Sequence, residues 1–549
     1  MSAIKLGILR EDIMEYISTE VVIAVIVVIF TSVCMFAACC CICCRKTARP
    51  HRLTPRPQTA PRKTGWDISP NLQFLPIGVN FNEWRMPKAA WGPGEPGVIS
   101  GDIGDLDINP NDWKRATDAV DAVLEMLLQE IKSAARRDFP NLRIGNFVRQ
   151  GSSREGLKVS QADEFDALLL FNIEGMNFKV NHLKDEDDKV LPEFGQLIAE
   201  GLTEFGYQFK YQTLDKNDVF FFNRKINKVC LNSRNLHEKV FKSIIAKAAN
   251  AVETRVNRRE TYQQFGFAIQ KFSINPPSVN IQIKLVEKDG YYDYGGHLRR
   301  CVVLESAAVE TVIDVDIVPG LELGRDVVPD PKDWNKTMKC PRYAVFKWFT
   351  DNQPSAALYD SPPNILWRMC TSGYEKHVLD VSRGSKEQSY IVTALRIMKL
   401  EFRQRKTDWY RQPPQVVTVL RSYHLKHIAF YCILYLTIMN RVKLSGVREA
   451  LAYFLDFLGV CLEERRLPHF FQANALLVYM FPDYKIDDQS LRYDLLSGKS
   501  SDALRQAGLS FSGLKCGLER QYCKGFCTYM YKEFSDAFRE FVKNGKYYC

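Results

Sequence analysis

The sequence predicts a mixed α/β lobe followed by an all-α lobe, with one transmembrane helix ahead of both. Three observations carry that prediction. Residues 21–44 form a run without a charged side chain. Strand-like segments with acids at alternate positions lie around Glu164–Phe171 and Thr311–Gly320. Long helix-period patterns take over after residue 340.

Length and composition allow this plan. A chain of 549 residues, 46% hydrophobic and 25% charged, can bury cores for roughly two to four domains. The net charge of +10 is unevenly placed, because residues 45–65 alone carry seven Lys or Arg and no acid. The rest of the chain is only mildly basic, so charge by itself is no argument for a polyanion partner. Six of the sixteen cysteines fall between Cys34 and Cys44, and the others show no framework spacing. That usage fits a reducing compartment rather than a secreted disulfide scaffold.

In chain order, residues 1–20 are a short leading segment and 21–44 the expected anchor. Twenty-four helical residues span roughly 36 Å, enough for a bilayer core. A cleaved signal peptide wants a basic start, whereas Glu11, Asp12, Glu15 and Glu20 precede this run. Arg45, Lys46, Arg49 and Arg52 follow it, which orients a single-pass membrane protein with its large body in the cytosol. Cys39–Cys41, Cys43 and Cys44 read either as palmitoylation sites or as small apolar residues ending the helix. Residues 45–65 are a basic, Pro-rich tether suited to anionic headgroups.

The body divides into a core lobe, residues 66–340, and a helical lobe, 341–549. Ala116, Val120, Val123, Leu124, Leu127, Leu128 and Ile131 have the spacing of one long helix from Asp112, capped by Asn111 or Asp112. Residues 143–153, 276–287 and 311–320 read as strands. Helical patterns are expected at 342–350, 375–380, 387–405, 417–439, 446–460, 466–480 and 525–542.

The chemistry is concentrated in acids set among apolar residues. Residues two apart on a strand share a face, so Glu164 and Asp166 project together, as do Asp314 and Asp316, opposite Ile313, Val315 and Ile317. If the two strands are neighbours, the carboxylates converge and need counter-charge. Hard divalent cations meet that need, and Mg²⁺ prefers carboxylates plus phosphate oxygens. Two ions (Mg²⁺ or Mn²⁺) can clamp both oxygens of an in-line displacement at phosphorus. Gly151–Ser152, just upstream, suits close approach of a phosphate.

Several short blocks then stand in one order: G-S at 151–152, E-F-D at 164–166, V-D-I at 315–317, W-R at 367–368, S-x-x-E at 372–375, L-R-I-M-K at 395–399 and S-Y-H-L-K at 422–426. In these the chain resembles the cyclic GMP–AMP synthase-like receptors of the male-abnormal (Mab) family, over about residues 110–540. The resemblance implies a nucleotidyltransferase fold. It implies Glu164, Asp166 and Asp316 as catalytic metal ligands. It implies nucleotide binding by Gly151, Ser152, Arg368, Ser372, Glu375, Lys399, Ser422, Tyr423 and Lys426, with Lys399 and Ser422 on phosphates and Tyr423 stacked on a base. The implied partners are ATP- or GTP-type nucleotides and a double-stranded RNA activator, held on a back face bearing Lys114, Arg115, Lys132, Arg136 and Arg137. The implied activity is synthesis of a cyclic dinucleotide second messenger in innate immune sensing. A catalytically silent, nucleotide-binding membrane adaptor of the same fold is the alternative. The family's His/Cys zinc insertion has no counterpart here, and Cys516, Cys523 and Cys527 read as structural.

Overall fold

The computed structural model describes residues 83–93, 106–184, 190–203, 210–257, 267–275, 278–285, 311–347, 363–408, 412–472, 493–496, 499–523 and 532–544, with isolated positions 95, 208, 474 and 477. All belong to the unit Ile68–Cys549. The leading segment, the anchor expected at 21–44 and the tether lie outside the described residues. Among the described residues no helix is long and apolar enough to cross a membrane.

The apolar spacing after Trp113 makes one 29-residue helix, α1 (Pro110–Asp138). It starts slightly before the expected Asp112. Asn109 is the cap, accepting from the Asn111 N–H at 2.8 Å, and Pro110 takes the first turn, where a missing N–H costs nothing. Val120, Val123, Leu127 and Ile131 are wholly buried against the sheet and against α3 (Lys242–Val256).

Among the described residues the sheet has eleven strands: β1 (Leu142–Gln150), β2 (Glu164–Ile173), β3 (Phe178–Lys184), β4 (Val190–Ala199), β5 (Phe220–Asn223), β6 (Lys228–Leu231), β7 (Phe267–Asn275), β8 (Ser278–Leu285), β9 (Val312–Asp330), β10 (Asp333–Phe346) and β11 (Leu366–Cys370). The main path runs β1-β2-β9-β10-β11-β4-β6-β5, with β3 on β4 and the β7–β8 hairpin on β9. β9 is long enough to serve two neighbourhoods. Its first half lies between β2, parallel, and β8, antiparallel; its second half pairs with β10.

Of the helix expected at 342–350, residues 342–346 are instead the end of strand β10 and 348–350 lie outside the described residues; strand β11 carries the sheet past residue 340 to Cys370. Tyr343, Ala344 and Phe346 are buried, and an apolar run this short has no period to separate helix from strand. Pro341, beside a register break in β10, weighs against helix.

The helical lobe holds α4 (Ser372–Gly384), α5 (Lys386–Thr407), α6 (Ser422–Cys432), α7 (Val447–Glu463), α8 (Ser501–Tyr522) and α9 (Lys532–Asn544) around a second core. The pattern at 417–439 is broken at Leu420–Arg421, which lets α6 begin at Ser422. Residues 466–472 are not helical; Pro468 makes an isolated bridge to Asp494.

A strap before α1 touches both lobes. The Trp84 ring meets Phe165 at 4.9 Å and its indole N–H donates to Asp121 at 2.7 Å. The Arg85 N–H donates to the Ser153 carbonyl at 2.9 Å, and its guanidinium pairs with Asp380. Glu95 accepts from the N–H groups of Val447 (2.9 Å) and Arg448 (3.1 Å), capping α7 with a buried carboxylate.

Candidate functional site

The acids converge as the strand pattern requires. In the parallel β2–β9 pair, Glu164 is the register partner of Asp314 and Asp166 of Asp316. Phe165, Ile313, Val315 and Ile317 fill the opposite face and are wholly buried, which fixes the face the acids take. Two polar rungs result, Gln150–Asp166–Asp316–Asn280 and Glu164–Asp314–Gln282. Asn280 Nδ2 donates to Asp316 at 3.1 Å, and Gln282 Nε2 donates to Asp314 at 2.9 Å. The alternation of residues 276–287 was readable; that its two carboxamides hold the acids was not.

Electrostatics follow from this crowding. Burial, then the charges of Glu164 and Asp316, push Asp166 up to about 7. Burial also raises Asp316, against the hydrogen bond from Asn280 that favours its charged form. Lys158, unremarked in the sequence, reaches Asp163 at 2.9 Å and Glu164 at 3.0 Å.

Gly151 opens the short helix α2 (Gly151–Glu155) at φ +69°, and a Cβ there would lie 1.7 Å from Asp166 Oδ2. The glycine is therefore required by the carboxylate packed over it, a reason the sequence did not offer. Ser152 lines a cavity of about 570 Å³ together with Asp166, Lys399, Arg403, Ser422 and Tyr423. A second cavity of about 810 Å³ lies beside Asp112, Arg115, Asn280, Gln282, Asp314 and Asp316. Asp163 and Glu164 border both.

Lys399 donates to the Leu157 carbonyl at 2.9 Å, and burial holds its pKa down at about 7. Arg403 crosses from α5 to Asp163 at 2.5 Å. Tyr423 is held by a histidine that the sequence did not single out. His469 Nδ1 accepts from the N–H groups of Phe471 (3.1 Å) and Gln472 (3.0 Å), so its proton sits on Nε2 and donates to Tyr423 Oη at 2.9 Å. Burial keeps His469 neutral, with its pKa down at about 3.

Four expected nucleotide contacts are engaged otherwise. Lys426 is buried between Glu155, at 2.8 Å, and Glu375. Burial opposes both charges, but their mutual attraction prevails: Glu375 is held below the usual carboxylate range and Lys426 above the usual ammonium range. The trio ties α2 to the helical lobe. Arg368 lies over the Tyr423 ring at 5.6 Å, and Ser372 faces the Cys370 sulfur at 3.0 Å. On the expected back face, Lys114 pairs with Asp118, Arg137 with Asp138, and Lys132 reaches Asn146.

Among the described residues no three His, Cys, Asp or Glu side chains stand ready as they are to hold an ion. Lys158 draws Glu164 aside and Asn280 holds Asp316. The donor set nevertheless suits hard divalent cations, because burial and neighbouring carboxylates raise Asp166 and Asp316, and a bound cation would favour their charged forms.

Neither a family model nor a curated protein matches the chain.

Proposed function

We propose that the protein is a metal-dependent nucleotidyltransferase of the kind its motifs resemble, joining nucleoside triphosphates into a cyclic dinucleotide messenger in innate immune sensing. In this reading it is anchored by residues 21–44 and activated by a ligand such as double-stranded RNA. The observation that carries the reading is the pairing of Asp166 with Asp316 across β2 and β9, where Asp166 lines one cavity with Lys399, Ser422 and Tyr423 and Asp316 lines its neighbour, the two sharing Asp163 and Glu164.

Glu164, Asp166 and Asp316 would hold two Mg²⁺ or Mn²⁺ ions, which when bound supply charge neutralisation at the transferring phosphoryl group. Ser152, Lys399 and Ser422 donate to phosphate oxygens, with Arg403 and Lys406 extending the positive wall. The Tyr423 face packs against a base, its hydroxyl oxygen held by His469. Asp316 accepts the proton of the attacking ribose hydroxyl, which forms the new ester bond at the α-phosphorus as pyrophosphate leaves. A second transfer closes the ring. Catalysis is then chiefly positioning and fixed charge.

The test incubates the full chain in detergent with labelled ATP, GTP, CTP and UTP, Mg²⁺ or Mn²⁺, and RNA duplexes. The reading expects a metal-dependent product that is lost in the Asp166→Ala, Asp316→Ala double variant. Nucleotide binding without product under every condition would instead assign the silent adaptor.

A further inference from the structure

The acid cluster already contains a cation. Lys158 is almost fully buried, and its ammonium contacts two carboxylates, Asp163 at 2.9 Å and Glu164 at 3.0 Å. Its backbone is fixed, since the Lys158 carbonyl accepts from Arg396 Nη2 at 3.3 Å. Its side chain lines the cavity that holds Ser152 and Lys399. Glu164 keeps a side-chain exposure of 58% and is free to reorient, whereas Asp163 is also gripped by Arg403 at 2.5 Å.

A divalent cation on Glu164 and Asp166 would stand within a few ångströms of that ammonium, and like charges at such range repel strongly. The contact to Glu164 must break, leaving the ammonium to Asp163 or to an anion in the cavity. We propose that Lys158 is the built-in counter-ion of the acid cluster, yielding Glu164 to an arriving divalent cation and turning to a nucleotide phosphate in the same cavity. The inference rests on the metal-dependent reading of the site, and it assigns Lys158 a role in both cation and nucleotide binding.

The experiment measures Mn²⁺ binding to the full chain in detergent from the electron paramagnetic resonance signal of free Mn²⁺, without nucleotide. Lys158→Met and Lys158→Gln are compared with the unaltered chain and with Asp166→Asn. Both Lys158 variants should bind Mn²⁺ about tenfold more tightly, as expected when a like charge is removed. Asp166→Asn should bind it much more weakly. With Mn²⁺ saturating, ATP should bind the Lys158 variants about tenfold less tightly, for want of one phosphate contact. Mn²⁺ affinity unchanged or reduced in both Lys158 variants, with Asp166→Asn still defective, overturns the counter-ion role while leaving the metal site standing. Unchanged ATP affinity overturns the phosphate contact. Absence of Mn²⁺ binding in every protein, the unaltered chain included, overturns the metal site and this inference with it. Two variants of different polarity guard against one failing to fold.

Discussion

A methyl group on Gly151 would sit 1.7 Å from Asp166 Oδ2 at a backbone angle that disfavours any side chain. Gly151→Ala should therefore displace the carboxylate and strain α2, costing about 2 kcal/mol in denaturant unfolding and at least about a hundredfold in turnover. Lys399 makes the opposite trade, since it is costly to fold and useful in the cleft. Burial holds its pKa down at about 7, against an ordinary 10.5. Below pH 7 both folded and unfolded chains carry the charge, and the folded state bears the full burial cost. Between pH 7 and 10.5 only the unfolded chain keeps the proton, so stability rises with pH. Lys399→Met should raise the melting temperature at pH 6, with a gain of about 2 kcal/mol after allowing for water in the cavity, and the gain should vanish near pH 10.5. A melting temperature that responds equally at both pH values would contradict the buried ammonium.

At the scale of elements, the acidic face depends on two strands lying side by side in one register. Gly320 enforces that closeness, because a Cβ there would meet Leu168 Cδ1 at 2.5 Å. The acids of β2 and β9 were legible in the sequence, since each alternates with residues that must be buried, such as Phe165 and Val315. Their supports were not. Asn280, Gln282 and His469 act through partners tens of residues away, and Lys158 reaches Asp163 and Glu164 across an irregular turn, so no local period reports any of them. Lys426 and Glu375 stood in two of the short blocks on which the resemblance rests, yet they form a buried pair, which only tertiary packing decides. The strand at 342–346 read as helix because Tyr343, Ala344, Val345 and Phe346 put apolar residues on successive positions. Helix α8 went unnoticed although Leu504, Ala507, Phe511, Leu514 and Leu518 have its spacing; Gly508, Gly513 and Gly517 lower its helix propensity, and a Cβ at any of the three would meet open space. The N-terminus of α7 gives an element-scale prediction. Glu95→Ala leaves the Val447 and Arg448 N–H groups without their carboxylate, and should cost about 2 kcal/mol in chemical denaturation. Glu95→Gln, which keeps one acceptor oxygen, should cost less.

At the scale of the molecule, the core of the helical lobe takes in Leu157, Val159, Val328, Met338 and Cys340 from the sheet lobe, and polar and aromatic contacts add to that junction. The strap from Trp84 to Glu95, the Lys426–Glu155–Glu375 trio and the Arg403–Asp163 bridge all cross between sheet and helices. Three of these contacts reach the segment between Gly151 and Asp163, so cleft geometry and lobe docking are coupled. Lys426→Met should leave two buried carboxylates facing each other, lowering stability by about 3 kcal/mol. It should also raise KM for nucleotide through α2, since Lys426 itself is enclosed. The most direct test of the central claim is anomalous X-ray scattering from crystals of the protein soaked with Mn²⁺ and a non-hydrolysable ATP analogue. The account predicts manganese peaks roughly 2.0–2.2 Å from carboxylate oxygens of Glu164, Asp166 and Asp316, with the triphosphate toward Ser152 and Lys399. Nucleotide bound elsewhere, with no manganese between β2 and β9 at saturating concentration, would contradict it.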